Sequence, residues 1–276
     1  MSALQVREIA SPTNPLIKDI RALHMRKVRA ETGRFVAEGA RTVREALDQG
    51  VVPEMLAYRA DQRDQPAVAA VRNAAGSAGA LLLEVSASVL EKISQRDNPQ
   101  SVIGVFRQRV LPLSALDPAK AAIWLALEGV KDPGNLGTCV RTADAVGAGG
   151  VLLIGTTCDP FSPEAVRATM GSIFAVPLYV TEPDEAIAFV RKWPGTCVGT
   201  ALQTETDYRA VAYTPPTLIV NGTEQSGLTP ELRAACGQLV RMPMRGRADS
   251  LNLSVAAGVM LYSVWDIQAG GRKGAG

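Results

Sequence analysis

Histidine is nearly absent from this chain: His24 is the single one in 276 residues. A Ser-His-Asp triad or a multi-histidine zinc centre would have to be built around that one imidazole, so serine and metal hydrolysis are poor readings. Cysteine is scarce and scattered. Cys139, Cys158, Cys197 and Cys236 include no C-x-x-C pair, in a chain too large to depend on disulfide staples; reduced thiols and no bound metal are expected. Long hydrophobic runs are missing too. The longest, Ala121 to Leu127, falls far short of the ~20 residues that cross a bilayer, and no apolar signal core precedes Pro12. The expectation is a soluble cytoplasmic protein with no membrane partner. Neither a G-x-G-x-x-G fingerprint nor a P-loop is present, which weakens a reading of ordinary nucleotide-phosphate chemistry.

What the chain does have is core material, with 47% hydrophobic residues, enough for one large or two ordinary domains. Its 29 Lys and Arg against 27 Asp and Glu leave a formal charge of +2, which argues neither for nor against a polyanionic partner. The distribution is less even. Of these, 16 basic and 12 acidic residues fall up to Pro112, so the basic surplus is N-terminal.

Periodicity gives an α/β chain in two parts. After the turn-forming Ser11 to Pro15, Leu16, Ile20, Leu23 and Lys27 share one helical face, with Lys18, Arg21, Arg26 and Arg29 largely on the other. Strand-like runs at Arg34 to Ala37, Met55 to Tyr58, Leu81 to Val85 and Val102 to Phe106 then alternate with helical stretches at Arg41 to Leu47, Val68 to Ala75 and Val89 to Ile93. This predicts a small α/β domain over 1–110, with Phe35 in its core. Two prolines and no usable period make 111–120 a linker. Over 121–269, short apolar runs at Ala122 to Leu127, Val151 to Ile154, Val176 to Val180, Cys197 to Thr200, Leu218 to Val220 and Leu239 to Met242 suit buried parallel strands. Between them lie helical stretches at Leu136 to Val146, Ala165 to Ile173, Glu185 to Lys192, Pro230 to Cys236 and about Leu251 to Trp265. The Gly-rich 270–276 reads as a disordered tail.

Three segments carry more than packing. In the first, Lys131 to Asp144, a strand ends and a helix begins, the place where α/β folds put ligands. Asn135 falls in the turn, and Arg141 six residues on lies in a helix of small apolar residues. That arginine either meets an anion or sits at the surface beside Asp144. In the second, Leu218 to Pro230, a strand runs into Asn221-Gly222, with Glu224 in the loop. This is either a close approach of backbone to ligand or an ordinary turn, followed by a helix capped by Thr229 with Pro230 in its first turn. In the third, Arg241 to Tyr262, a polar loop leads to a helix with Ser250 as candidate N-cap. Ser250 and Asn252 either cap that helix or point into a site built with the other two loops.

Together and in this order, the Asp-Pro-Gly-Asn-Leu-Gly with Arg141, the Gly222 with Glu224, and the Ser-Leu-Asn-Leu-Ser before a small-residue helix resemble the three motifs of the SpoU/TrmH type of the SPOUT superfamily. These are RNA ribose 2′-O-methyltransferases that use S-adenosylmethionine. The resemblance covers essentially the whole chain, since Ser11 to Leu47 is similar to the small substrate-binding domain often fused ahead of the motifs. It implies a C-terminal SPOUT sheet with a deep trefoil knot, which general connection rules would not suggest, and a homodimer. Position by position, it implies that Gly222, Met242 and Leu251, with Thr200 and Ala201, hold S-adenosylmethionine. Asn135, Arg141, Glu224, Ser250 and Asn252 match the catalytic and substrate-orienting set. The partner implied is RNA, with ribosomal RNA favoured over transfer RNA, and Lys18, Arg21, Arg26, Arg29 and Arg34 are the residues offered to it. A silent RNA-binding protein of the same fold and a nicotinamide enzyme are the competing readings.

Overall fold

The computed structural model describes residues 5–96, 98–223 and 225–270. Up to Arg107 the order is β1 (Val6–Ile9), α1 (Pro15–Ala22), α2 (Arg26–Thr32), β2 (Arg34–Glu38), α3 (Ala40–Asp48), β3 (Met55–Arg59), α4 (Pro66–Ser77), β4 (Leu81–Val85), α5 (Ala87–Ser94) and β5 (Val102–Arg107). Beyond it come β6 (Leu111–Pro112), β7 (Ile123–Glu128), α6 (Pro133–Ala145), β8 (Val151–Ile154), α7 (Pro163–Thr169), β9 (Leu178–Thr181) and α8 (Pro183–Val190). The chain closes with β10 (Cys197–Thr200), β11 (Thr217–Asn221), α9 (Pro230–Ala235), β12 (Gln238–Val240) and α10 (Leu253–Gln268). Among the described residues no helix is long and apolar enough to cross a membrane. None of the four cysteines is in a disulfide.

Two compact units emerge, Met1–Gln108 with Asp159–Ala175, and Arg109–Cys158 with Val176–Gly276. The first holds a five-stranded sheet in the order β1-β4-β3-β5-β2. β3 and β4 are parallel because α4 crosses between them, whereas β5 runs antiparallel to both β3 and β2. Ile17, Ile20 and Leu23 pack with Val36, Ala57, Leu83 and Ile103 to form its core. The single helical face read from Leu16 to Lys27 is in fact two helices, broken at Leu23, His24 and Met25. The break leaves backbone carbonyls that need donors. Arg29 supplies them, its Nη1 donating to the Leu23 and His24 carbonyls at 2.8 Å each.

The segment Asp159–Ala175 was read from sequence as part of the C-terminal domain but belongs to the first unit. The cause is aromatic burial: Phe161 meets Phe35 at 4.9 Å between ring centroids, and Phe174 meets Phe106 at 4.7 Å. Phe35 is core as expected, 1% exposed.

The second unit is a seven-stranded, wholly parallel sheet ordered β12-β10-β11-β7-β8-β9-β6. Every residue of β7, β8 and β11 is buried, which is why their sequences read as unbroken apolar runs instead of alternating. The expected linker is not free chain. Its Leu111–Pro112 forms β6 on the sheet edge beside β9, and Leu113 and Leu116 enter the core. Strand order reverses between β7 and β11, and such a switch point opens a crevice at the carboxyl ends of parallel strands.

Candidate active site

The loops that leave β10, β11 and β12 converge on one cavity of about 260 Å³. Thr200 and Ala201 line it from β10, Gly222 from β11, and Met242, Ser250 and Leu251 from the segment between β12 and α10. Residues widely separated in sequence are therefore neighbours here. Its wall mixes Gly222, Gly227 and short side chains with longer ones such as Arg233, Arg241 and Met244, and Val240, Leu228 and Leu253 supply apolar surface.

Gly222 is dictated by close approach. A Cβ there would stand 2.1 Å from the Gly227 carbonyl carbon and 2.2 Å from the Leu228 nitrogen. The hairpin that presses against it is pinned by reciprocal backbone bonds between Thr223 and Gly227, at 3.1 and 3.0 Å. Glu128, at the end of β7 and 7% exposed, holds the far side of the same loop. Its carboxylate accepts from the Thr229 amide at 2.8 Å and the Thr229 hydroxyl at 2.7 Å. Thr229 also caps α9, as the sequence predicts. Beside Gly222, Asn221 is 1% exposed, and its Oδ1 has no hydrogen-bond partner among the described residues. An acceptor buried in a cavity wall without a donor costs stability unless a ligand supplies one. Nothing in the spacing marked Glu128, and Asn221 read only as the residue at which the strand runs into Gly222.

Next to the cavity, the amino ends of α6 and α10 meet. Asn135, read from sequence as a turn residue, lies in the first turn of α6, because Asp132 is the N-cap and accepts from the Asn135 amide at 2.6 Å. Asn252 Nδ2 donates to Asn135 Oδ1 at 3.0 Å. Asn252, not Ser250, caps α10, accepting from the Ser254 and Val255 amides, so the helix starts two residues later than the periodicity suggested. Ser250 instead stays in the loop, its hydroxyl donating to Asp249 at 3.2 Å. A residue missed by sequence completes the junction: Ser254 Oγ lies 3.2 Å from Asn135 Oδ1 and 2.7 Å from Asn252 Oδ1. The positive ends of two helix dipoles, of 13 and 16 residues, thus point toward one corner.

Arg141 lies on α6 six residues after Asn135 and is exposed. It does not line the cavity, and no hydrogen bond or ion pair joins it to another described residue. The surface alternative is therefore the one the fold adopts, with the guanidinium open to an external anion. Glu224 lies outside the described residues.

The five N-terminal cations separate. Lys18, Arg21 and Arg26 are exposed on α1 and α2. Arg29 is not available for RNA: it is 3% exposed, its Nη2 pairs with Asp159 at 2.7 Å and its Nε bonds the same carboxylate at 2.8 Å. The helical wheel placed it outside because the wheel assumed one continuous helix. Arg34 is half-buried and faces Glu54 at 4.0 Å.

Comparison with known proteins places this geometry. The MRM3-like substrate binding domain matches residues 14–104. A crystal structure of an AdoMet-bound rRNA methyltransferase from Sinorhizobium meliloti is 46% identical, covers 94% of this chain and 97% of its own, and superposes with a TM-score of 0.86. The SpoU methyltransferase AviRb from Streptomyces viridochromogenes, in complex with AdoMet, is 27% identical over 94% of this chain and all of its own, at a TM-score of 0.83. The 23S rRNA (guanosine(2553)-2'-O)-methyltransferase RlmP of Bacillus subtilis is 29% identical over 258 residues, 93% of this chain and 98% of that protein. With the SpoU rRNA Methylase family model matching residues 122–262 of 276, across all three site loops, the chain belongs to that family.

Proposed function

We propose that this protein methylates a ribose 2′-hydroxyl of ribosomal RNA, using S-adenosylmethionine as methyl donor. The observation that carries the proposal is the convergence of the three loops on one cavity, directly beside the Asn135–Asn252 junction.

The cavity fits the cofactor on its own chemistry. Its walls combine apolar Leu228, Val240, Leu251 and Leu253 with the hydroxyls of Thr200 and Thr223, and Asn221 Oδ1 is an acceptor still lacking a donor. Thr200, Ala201, Gly222, Met242 and Leu251 hold the cofactor. When bound, it supplies an electrophilic methyl on a sulfonium, so the transfer itself needs no metal.

This chain's contribution is alignment and charge. The ribose hydroxyl would have to be held in line with the methyl carbon and give up its proton, which would pass to a neighbouring RNA phosphate or to water. Holding the two partners in line can contribute ~7–11 kcal/mol. A guanidinium carries five donors and no acceptor, so Arg141 is a poor base. As an exposed guanidinium it clamps the RNA phosphate or developing oxyanion next to the reacting ribose. Asn135 and Asn252 brace the corner, Ser254 locks both, and Ser250 and Glu224 orient substrate. Lys18, Arg21 and Arg26 meet RNA phosphates on the first unit, with Arg34 at the margin.

The proposal extends to a homodimer in the cytoplasm, where ribosomal RNA is processed. On α10, Val255, Tyr262 and Trp265 are exposed at 50, 49 and 47%, an apolar face suited to a second copy. The sheet order, in which the chain passes from β10 to β11 and back beyond β10 to β12, supports a deep trefoil knot.

The test is transfer of tritiated methyl from S-adenosylmethionine to undermodified ribosomal RNA, followed by nucleoside analysis. Label in a 2′-O-methylnucleoside supports the proposal. Label confined to bases, or to transfer RNA alone, contradicts it.

A further inference from the structure

We infer that a cavity in the first unit, walled by His24, Glu38, Arg41, Arg96, Glu164 and Arg167, receives one nucleotide of the RNA substrate, its phosphate against the guanidinium groups and its base against the carboxylates and imidazole. The inference rests on the proposed RNA methylation and adds to it a binding subsite.

The cavity encloses about 730 Å³, within the range of small-ligand pockets. All its lining residues belong to the first unit, including Glu164 and Arg167 from α7. Two of its cations are exposed and weakly engaged. Arg41 stands 4.0 Å from Glu45, both side chains well exposed, and Arg167 has no ion pair among the described residues. Exposed pairs of that kind hold their partners loosely. Arg96 reaches Glu38 at 3.4 Å with 38% of its side chain exposed, so it too can turn to an anion. Arg41 sits in the first turn of α3, whose N-cap is Gly39 at φ 101° with no side chain bonding the free amides. That helix end adds partial positive charge where the cations gather.

The floor has the opposite character. Glu38 is 15% exposed and is set in place by the Ser94 hydroxyl at 2.9 Å. His24 presents a buried Nε2 with no hydrogen-bond partner among the described residues. Burial favours the neutral ring and lowers the imidazole's pKa below its ordinary value, opposed by a hydrogen bond to the Ile93 backbone. Cations at the rim with carboxylate and imidazole acceptors inside match a nucleotide, whose phosphate is anionic and whose base edge carries amino or imino donors. An acidic peptide would bring carboxylates against Glu38 and Glu164.

As the only histidine, His24 gives a single imidazole signal in the full-length protein, and this makes the test direct. The four nucleoside 5′-monophosphates and inorganic phosphate are titrated separately while that signal is followed by NMR. At least one nucleotide is expected to shift it saturably, and phosphate at equal concentration is expected to leave it in place. No shift with any nucleotide, an equal shift with phosphate, or a shift only with an acidic peptide overturns the inference. The second arm uses Arg41→Ala with Arg167→Ala, both at exposed positions. Affinity for ribosomal RNA should fall at least tenfold and KM for RNA rise, with cofactor affinity and kcat at saturating RNA unchanged. Unchanged RNA affinity also overturns it. Absence of methyl transfer by the unaltered protein would count against the proposed function instead, and the NMR shift separates the two failures.

Discussion

Two cavities of this molecule are built from different materials. The one at the carboxyl ends of β10, β11 and β12 has a mixed lining, in which Gly222, Gly227 and several leucines stand beside Arg233, Arg241 and Asp249, and the Asn221 oxygen in it has no partner among the described residues. The one in the first unit is walled by four arginines, two glutamates and a histidine. A cofactor that must be held in one orientation is served by a rigid backbone mould. A long polyanion is served by charged side chains that bind phosphates at many points. The contrast also separates two arginines: Arg29 is buried and structural, Arg141 is exposed and unpaired among the described residues.

The largest effect that sharpens this division is expected at Arg141. Arg141→Ala should lower methyl transfer by about 10²–10³-fold, with cofactor affinity by calorimetry unchanged. Equal loss of both would make Arg141 part of the cofactor mould and erase the contrast. Gly222→Ala should do the reverse, since its Cβ collides with the Gly227 backbone at 2.1 Å. S-adenosylmethionine binding should become undetectable in the same titration while RNA binding persists.

Arg29→Ala should cost about 3–5 kcal/mol of unfolding free energy, as expected when a buried pair loses one partner and Asp159 is left behind. Replacing Lys18, Arg21 and Arg26 together by alanine should leave the urea midpoint nearly unchanged. It should instead flatten the salt dependence of RNA affinity by about one unit of slope per residue that contacts a phosphate. If both variants behaved alike, buried and exposed cations would not divide the work. Glu128→Ala leaves the Thr229 donors unsatisfied and should cost about 1–3 kcal/mol, with weakened cofactor affinity as the 222–229 loop loosens. Glu128→Gln should recover part of both.

The smallest effect concerns pH. His24 has its folded pKa depressed by burial, with Glu38 and Glu164 raising it and Arg29 lowering it. Its contribution to stability is complete above the unfolded value of about 6.5 and is lost as pH falls toward the folded value. The NMR titration midpoint should lie below 6.5, and a midpoint at or above that value would contradict the burial argument.

Most elements were legible because buried parallel strands are written as apolar runs: Cys197–Thr200 matches its sequence reading residue for residue. Thr229 and Pro230 were legible as a helix start because cap chemistry is local. The failures share a cause in long-range partners. The break at Leu23 to Met25 depends on Arg29, itself held by Asp159 130 positions away. Asn252 rather than Ser250 caps α10, at a position also joined to Asn135, 117 positions earlier. β1 is a four-residue edge strand with only Ile9 buried, too little pattern to register. At the site, the family resemblance pointed to Thr200, Ala201, Gly222, Met242 and Leu251, which line the cavity, whereas the roles of Glu128, Asn221 and Ser254 were not legible because they come from neighbours in space.

The most direct measurement is the chemical position of the transferred methyl group. Ribosomal RNA labelled by this enzyme should yield, on alkaline hydrolysis, a resistant dinucleotide carrying the label on a ribose oxygen, and Arg141→Ala should reduce its yield by about 10²–10³-fold. Label released with mononucleotides, marking a methylated base, would contradict the account.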